Sequence, residues 1–349
     1  MTKHKIRTAL LSYGMSGEVF HVPLLEAHKG FEVVSIWQRN NKKPVRHSYP
    51  VAKDYRDLLN DPSIELIIVN TPNESHFSYA ADALKAGKHV IVEKPFTVNV
   101  KEADELIALA QKQKKLLSVF QNRRWDADFL TVKKVLAEKL VGELVECEIH
   151  YDRFRNYIEG DTWKEEAKPG TGILYNLGSH LLDQALVLFG MPQYLDARMG
   201  IQRSAGKVDD FFDIRMEYDH FMVILKSSYL VREQGPRFIL HGTLGSFTKS
   251  GIDPQEQALK DKKKPGIPGW GAEPNEWWGK LNTTLEGKNV EGPFETIPGN
   301  YLSFYNGFYD AVREDKPLSV RAEDGRKVIQ LIEACQESNR SKCAVKIKP

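Results

Sequence analysis

The chain has 349 residues, 41% of them hydrophobic, which at about 150 residues per domain points to two domains with ordinary globular cores. Its 49 basic and 47 acidic side chains give a net charge of +2, which excludes the charge bias of a nucleic-acid or membrane-surface binder. No apolar run reaches the roughly 20 residues of a membrane span. The start M-T-K-H-K-I-R-T-A-L-L lacks a leader's apolar stretch, and Cys147, Cys335 and Cys343 are too scattered for a disulfide frame or a zinc site. A cytoplasmic protein without a metal is therefore expected, and the basic run at Lys260 and Lys262 to Lys264 reads as a solvated loop.

Residues 6–11 predict a strand. Ser12-Tyr13-Gly14-Met15-Ser16-Gly17 follows, then a helical pattern with Val19, Phe20, Leu24 and Leu25. Strand, glycine turn and helix in that order form the context of a dinucleotide fingerprint. Gly14 would let the backbone approach a pyrophosphate, Gly17 would let helix and strand pack closely, and Tyr13 and Ser16 flank them. Ser12 replaces the first glycine of G-x-G-x-x-G, so by itself the turn reads equally as a plain strand-to-helix connection.

The second strand, 32–37, is followed by Gln38-Arg39-Asn40-Asn41-Lys42-Lys43, with no carboxylate between Glu32 and Asp54. NAD enzymes place an acid there to hold the ribose 2′-hydroxyl. Its absence beside cations suits a 2′-phosphate held by the planar fork of Arg39, which favours NADP over NAD; a solvated basic loop is the alternative. A helix at 55–59, a strand at 64–70 and a helix at 75–86 closed by Gly87 come next. Thr71, Asn73 and His76 then fall in a strand-to-helix crevice, where His76 either touches the cofactor or faces solvent.

Lys88 to Pro95, K-H-V-I-V-E-K-P, carries the central argument. Val90, Ile91 and Val92 match a strand buried on both faces, and Pro95 forces the chain out of the sheet. Glu93 and Lys94 thus sit at the carboxyl end of a parallel strand, where open α/β sheets bind ligands. A partly desolvated lysine there can exchange a proton near neutral pH. A helix from Asn99 to about Lys114 and a strand at 116–120 complete five strands of a Rossmann-type doubly wound parallel sheet, ending at Asn122. We place the domain boundaries at 1–122 and 123–349.

After a helix at 128–139, residues 143–154, 194–204, 211–218, 220–230 and 237–241 predict consecutive strands, hence a C-terminal α/β domain with an open, mostly antiparallel sheet. Between the first two lies G-T-G-I-L-Y-N-L-G-S-H-L-L-D, residues 170–183. Asn176, His180 and Asp183 at i, i+4 and i+7 would share one helix face, either as a functional stripe or as a satisfied core network. Residues 254–298, rich in Gly, Pro, Lys and Trp, read as a long excursion forming a lid or an oligomer contact, and about 322–339 as a closing helix.

The glycine turn, T-P-N at 71–73, E-K-P at 93–95 and G-x-G-x-x-x-N-x-G-S-H-x-x-D at 170–183 together resemble the glucose–fructose oxidoreductase/inositol dehydrogenase (Gfo/Idh/MocA) family over nearly the whole chain. Q-N-R-R-W-D at 121–126, Y-G-M-S-G-E-V-F-H-V-P-L-L at 13–25 and G-I-D at 251–253 are most similar to its NADP-dependent scyllo-inositol dehydrogenase branch. The resemblance implies a Rossmann domain followed by a sheet domain that serves as an oligomer interface, here in a homodimer or homotetramer. It implies a cis Lys94–Pro95 peptide, Lys94 beside the nicotinamide, and His180 facing substrate, with Asn176 where the family usually has aspartate. Tyr13, Gly14, Ser16, Gly17, Arg39, Thr71, Asn73, His76, Glu93, Lys94 and Asn122 would then hold the cofactor. Arg124, Tyr151, Arg153, Trp163, Asn176 and His180 would meet a polyol, with Arg123, Arg155 and Tyr157 nearby in sequence.

The expected chemistry is hydride transfer between a nicotinamide and a secondary alcohol or ketone of a cyclic polyol or sugar. Lys94 and His180 would share the hydroxyl proton, and Asn176 would orient the imidazole without adding charge. Asparagine at 176 keeps a second reading open, a non-catalytic dinucleotide-binding sensor or regulator, and the scaffold admits a third, a reductase of imines or enones.

Overall fold

The structure is a computed structural model and describes residues 4–39, 49–160 and 162–348. Two compact units account for it. The first runs to Asn122 and adds residues 255–270 and 300–329; the second comprises 123–254, 271–299 and the chain from Gln330 onward. The two late segments of the first unit fall within the stretch that sequence alone assigned to the second domain, because packing partners far away in sequence leave no local signal.

In the first unit β1 (Ile6–Leu10), α1 (Val22–Ala27), β2 (Phe31–Trp37), β3 (Val51–Ala52), α2 (Tyr55–Asn60), β4 (Leu66–Val69), α3 (His76–Lys85), β5 (His89–Val92), α4 (Val100–Gln113) and β6 (Leu117–Val119) alternate. The parallel sheet has the order β3-β2-β1-β4-β5-β6, that of a doubly wound dinucleotide fold. Five strands are predicted from sequence; the sixth, β3, is a two-residue edge pairing with β2, too short for periodicity to reveal.

β4 and β5 are apolar because both faces are covered: Leu66, Ile67, Ile68 and Val69 are all fully buried, as are Val90, Ile91 and Val92. The two strands pair Val69 with Val92, so their carboxyl ends lie level. α4 starts where Asn99 Oδ1 accepts the Glu102 N–H at 2.9 Å, a side-chain N-cap. The later helix Leu302–Glu314 is tied to the chain before β4 by a two-pronged ion pair, Arg313 to Glu65, at 2.8 and 2.7 Å.

The second unit holds α5 (Ala127–Ala137), β7 (Leu144–His150), α6 (Ser179–Phe189), β8 (Tyr194–Gly200), β9 (Phe211–Glu217), β10 (Met222–Ser228), β11 (Phe238–Gly242), β12 (Gly245–Lys249), β13 (Gly279–Leu285), β14 (Lys288–Phe294) and β15 (Val345–Lys346). Its nine-stranded sheet runs β14-β13-β12-β11-β7-β10-β9-β8-β15. Every pairing is antiparallel except β7 with β10. One face buries Cys147, Ile149, Val223, Leu225, Phe238 and Leu240 by the expected alternation. Asp253, in the G-I-D segment, is buried and accepts the Ala127 N–H at 2.7 Å, anchoring the start of α5.

The stretch 254–298, read from sequence as a long excursion, carries regular structure of its own. Residues 279–294 form the β13–β14 hairpin, which extends the sheet at its edge. Its outer strand K-N-V-E-G-P-F is polar and carries Pro293, a composition suited only to an edge.

Candidate active site

β1 delivers the chain to Ser12, whose Oγ accepts the Gly14 N–H at 3.3 Å. The serine in the first glycine's place therefore ties the turn from within. Helical conformation begins at Met15 and passes through a π-helical turn, Gly17–His21, before α1. A Cβ on Gly17 would lie 2.9 Å from the Ser12 carbonyl oxygen and 3.0 Å from Asn70 Nδ2, so close strand–helix approach requires glycine there. Asn70 Nδ2 in turn donates to the Ser12 carbonyl at 3.0 Å, so the end of β4 braces the turn. Gly14 is exposed, Ser16 half-buried and Tyr13 buried. Backbone N–H groups at such a helix start suit a diphosphate.

Arg39 is exposed just past β2. Glu32, the sole acid from Phe31 to Arg39, lies at the opposite end of that strand and pairs with Arg7 at 3.2 Å. Asn40 to Lys43, the rest of the predicted basic stretch, lie outside the described residues.

His76 answers to neither sequence expectation. It is fully buried, with Nδ1 2.9 Å from the Pro95 carbonyl and Nε2 2.9 Å from that of Thr71. Burial lowers its pKa, against the pull of those two carbonyls. It therefore neither faces solvent nor offers its ring to a ligand; it fastens the Thr71 loop to the E-K-P turn. Thr71 is buried and accepts from Ser75 Oγ at 2.8 Å, while Asn73, half-buried, opens a short 3₁₀ turn.

Lys94 is half-buried at the end of β5, and the Lys94–Pro95 peptide is cis, as the resemblance implies. Glu93 Oε2 accepts the Lys94 N–H at 3.0 Å, and its Oε1 lies 3.1 Å from His21 Nε2. Burial opposes the charged carboxylate, but the His21 hydrogen bond and the Lys94 charge hold its pKa below the usual value. His21 Nδ1 meets the Tyr305 hydroxyl at 2.6 Å. Sequence reasoning missed His21 and Tyr305. Asn122, buried, closes this unit's chain after β6.

In the second unit, Asn176 lies in another π-helical turn, Leu174–Gly178, and His180 follows in α6, buried. Asn176 Nδ2 donates to the Tyr229 hydroxyl at 3.1 Å. The Tyr229 ring lies beneath Arg203 at 4.9 Å, and Arg203 also pairs with Glu165 at 2.9 Å and Asp210 at 3.0 Å. Asp209 Oδ2 accepts the Leu174 N–H at 2.9 Å and so caps the helix that carries Asn176 and His180. Gly172, at φ +92°, leaves room for that carboxylate, since a Cβ there would sit 2.0 Å from Asp209 Oδ1. Burial pushes the Asp209 pKa up to about 6.

Several predicted substrate side chains have structural work. Asp183 receives both Arg124 Nε (2.8 Å) and Nη2 (2.7 Å) in a buried two-pronged pair. Tyr151 is 2% exposed, with Arg237, Arg123 and Arg153 at 4.6, 5.0 and 5.2 Å from its ring centre. Tyr151 is thus a platform for guanidinium groups rather than a surface contact. Arg153 and Trp163 are half-buried, and Tyr157 is exposed. Lys94 belongs to the first unit; Asn176 and His180 belong to the second.

Fold and site define an oxidoreductase built on a nicotinamide-dinucleotide scaffold. Residues 6–121 match the oxidoreductase-family NAD-binding Rossmann fold, and residues 133–347 match that family's C-terminal alpha/beta domain. The chain belongs to the Gfo/Idh/MocA oxidoreductase family. It is 39% identical over 349 residues to scyllo-inositol 2-dehydrogenase (NADP(+)) IolW of Bacillus subtilis, covering 98% of this chain and 96% of that protein. It is 41% identical over 344 residues to the uncharacterized oxidoreductase YdgJ of Escherichia coli, covering 97% and 98%. The solved structure of the oxidoreductase yvaA of Bacillus subtilis superposes with a TM-score of 0.96 at 36% identity, covering all of both chains.

Proposed function

We propose that this oxidoreductase uses NADP to interconvert a secondary alcohol and a ketone on a cyclic polyol or sugar resembling scyllo-inositol. The observation that carries the reading is Lys94, half-buried at the carboxyl end of β5 and held by Glu93 through its own amide. The similarity to an NADP-dependent inositol dehydrogenase supports the substrate class. The cofactor preference rests on Arg39, exposed after a strand whose end lacks the usual acid.

The nicotinamide, when bound, accepts or returns the hydride. The chain does the rest. The Gly14 turn and helix start bind the diphosphate, and Arg39 pairs with the 2′-phosphate. Lys94 takes the carbinol proton on oxidation and, on reduction, returns it and stabilises developing negative charge; in the second unit, His180 offers an imidazole for proton exchange with the substrate. Asn176, tied to Tyr229, orients the polar face of its helix without a charge of its own.

We further propose a homo-oligomer formed through the open face of the second sheet. There the half-buried Met222 and Ile239 lie among Glu148, Asp196, Asp213, Arg215 and Lys226, a mixed-charge surround suited to a second copy of itself. Among the described residues, no helix is long and apolar enough to cross a membrane.

The test is turnover of NADPH with keto-inositols, sugar lactones, imines and enones. Steady oxidation with a keto-inositol, lost in Lys94→Ala, supports the reading. Tight NADPH binding with no turnover of any compound favours a sensor instead, and activity confined to imines or enones favours the third class.

A further inference from the structure

We propose that His21 is a positioning residue for Lys94, acting through Glu93 to fix both the place and the charge state of the amine. The inference rests on reading Lys94 as the proton-transfer group. Its geometry lies wholly within the first unit.

His21 is fully buried at the end of the π-helical turn Gly17–His21. A π turn adds a residue to the helical register and swings the side chain after it; such turns are rare and cluster at functional sites. Phe120 packs against the imidazole, tilted by 42° with ring centres 4.3 Å apart. Tyr305 is fully buried, and burial raises its pKa well above the ordinary value, so it remains a neutral donor. The Glu93 carboxylate can only accept, so His21 Nε2 donates to it at 3.1 Å, while Nδ1 meets the Tyr305 hydroxyl at 2.6 Å.

The titratable groups that bear on Glu93 include His21, Lys94 and His76, and Glu93 in turn acts on Tyr305. Among the described residues, His21 alone gives the carboxylate a side-chain hydrogen bond. Glu93's other oxygen accepts the backbone N–H of Lys94 at 3.0 Å. The row Tyr305–His21–Glu93 therefore ends on the residue that carries the amine, and it keeps an anion beside that amine. Without His21, a desolvated carboxyl left with only the Lys94 amide as donor would take up a proton more readily, and the ammonium would lose its neighbouring negative charge.

The experiment reads Lys94 directly, in the full chain without cofactor or substrate. Reductive 13C-methylation makes each lysine amine visible by NMR, and Lys94→Arg identifies the Lys94 signal. In His21→Phe the Lys94 titration midpoint is expected to move to lower pH. In turnover assays, kcat should fall about tenfold or more with NADPH affinity held within about twofold. His21→Gln, which keeps a donor towards Glu93, should restore both. Should His21→Phe fail to fold, Tyr305→Phe is read in its place, with a shift expected in the same direction. A folded variant that melts earlier while its Lys94 midpoint and kcat stay put makes His21 a packing residue and overturns the proposal. If the wild type turns over nothing, the function proposed above fails, and the Lys94 titration still decides the role of His21.

Discussion

The E-K-P turn is gripped on both sides by buried histidines. His21 reaches it through the Glu93 side chain and His76 through the Pro95 carbonyl. Lys94 was legible in the sequence because an apolar β-branched run ending in proline is a local signal. His21 and Tyr305 were not legible: they stand 284 residues apart, and nothing local pairs a helix histidine with a tyrosine near the chain's end. His76 was misread for the same reason, since its partners are backbone carbonyls that no residue pattern announces. At the cofactor end, Arg39 is the residue on which NADP preference depends. Arg39→Ala should weaken NADPH binding by roughly tenfold while leaving NADH nearly unchanged, as expected for one charge-assisted pair. Fluorescence titration of both cofactors measures this, and equal losses refute the 2′-phosphate role.

Both π-helical turns fall at candidate residues, one ending on His21 and one containing Asn176. The i, i+4, i+7 spacing placed Asn176, His180 and Asp183 on one stripe, but sequence periodicity does not register a π turn, and Asp183 is spent on Arg124. Two predictions belong to these helices. Gly17→Ala drives a methyl against the Ser12 carbonyl and Asn70, so it should cost about 1–3 kcal/mol in urea unfolding and weaken NADPH binding. An unchanged unfolding midpoint would show that the turn relaxes freely. At the other helix, Asp209 titrates at about 6 in the folded chain against 3.8 as its ordinary value. The folded protein thus keeps a proton that the unfolded chain has shed, and this group's contribution to stability falls as pH rises across that window. Asp209→Asn retains the acceptor for the Leu174 N–H, so melting temperatures between those two pH values should decline less steeply than in the wild type. Parallel curves would mean that Asp209 is not the group responsible.

Across the whole molecule, alternating strands and helices fixed the parallel sheet in advance, and consecutive alternating strands announced the antiparallel one. The β13–β14 hairpin escaped because an edge strand with one solvated face and a proline looks like loop. Segments 255–270 and 300–329 escaped because their packing with the first unit is non-local. The open face of the large sheet should make the protein a dimer or tetramer by sedimentation equilibrium, and the pair Met222→Lys and Ile239→Lys should shift it towards monomer. A monomeric wild type would refute that interface. The most direct test of the central claim is single-turnover hydride transfer from NADPH to a keto-inositol, compared between the wild type and Lys94→Ala. The account predicts a rate about 10²- to 10⁴-fold slower in the variant, with NADPH affinity little changed. An unaltered transfer rate in a folded, cofactor-binding Lys94→Ala protein would contradict it.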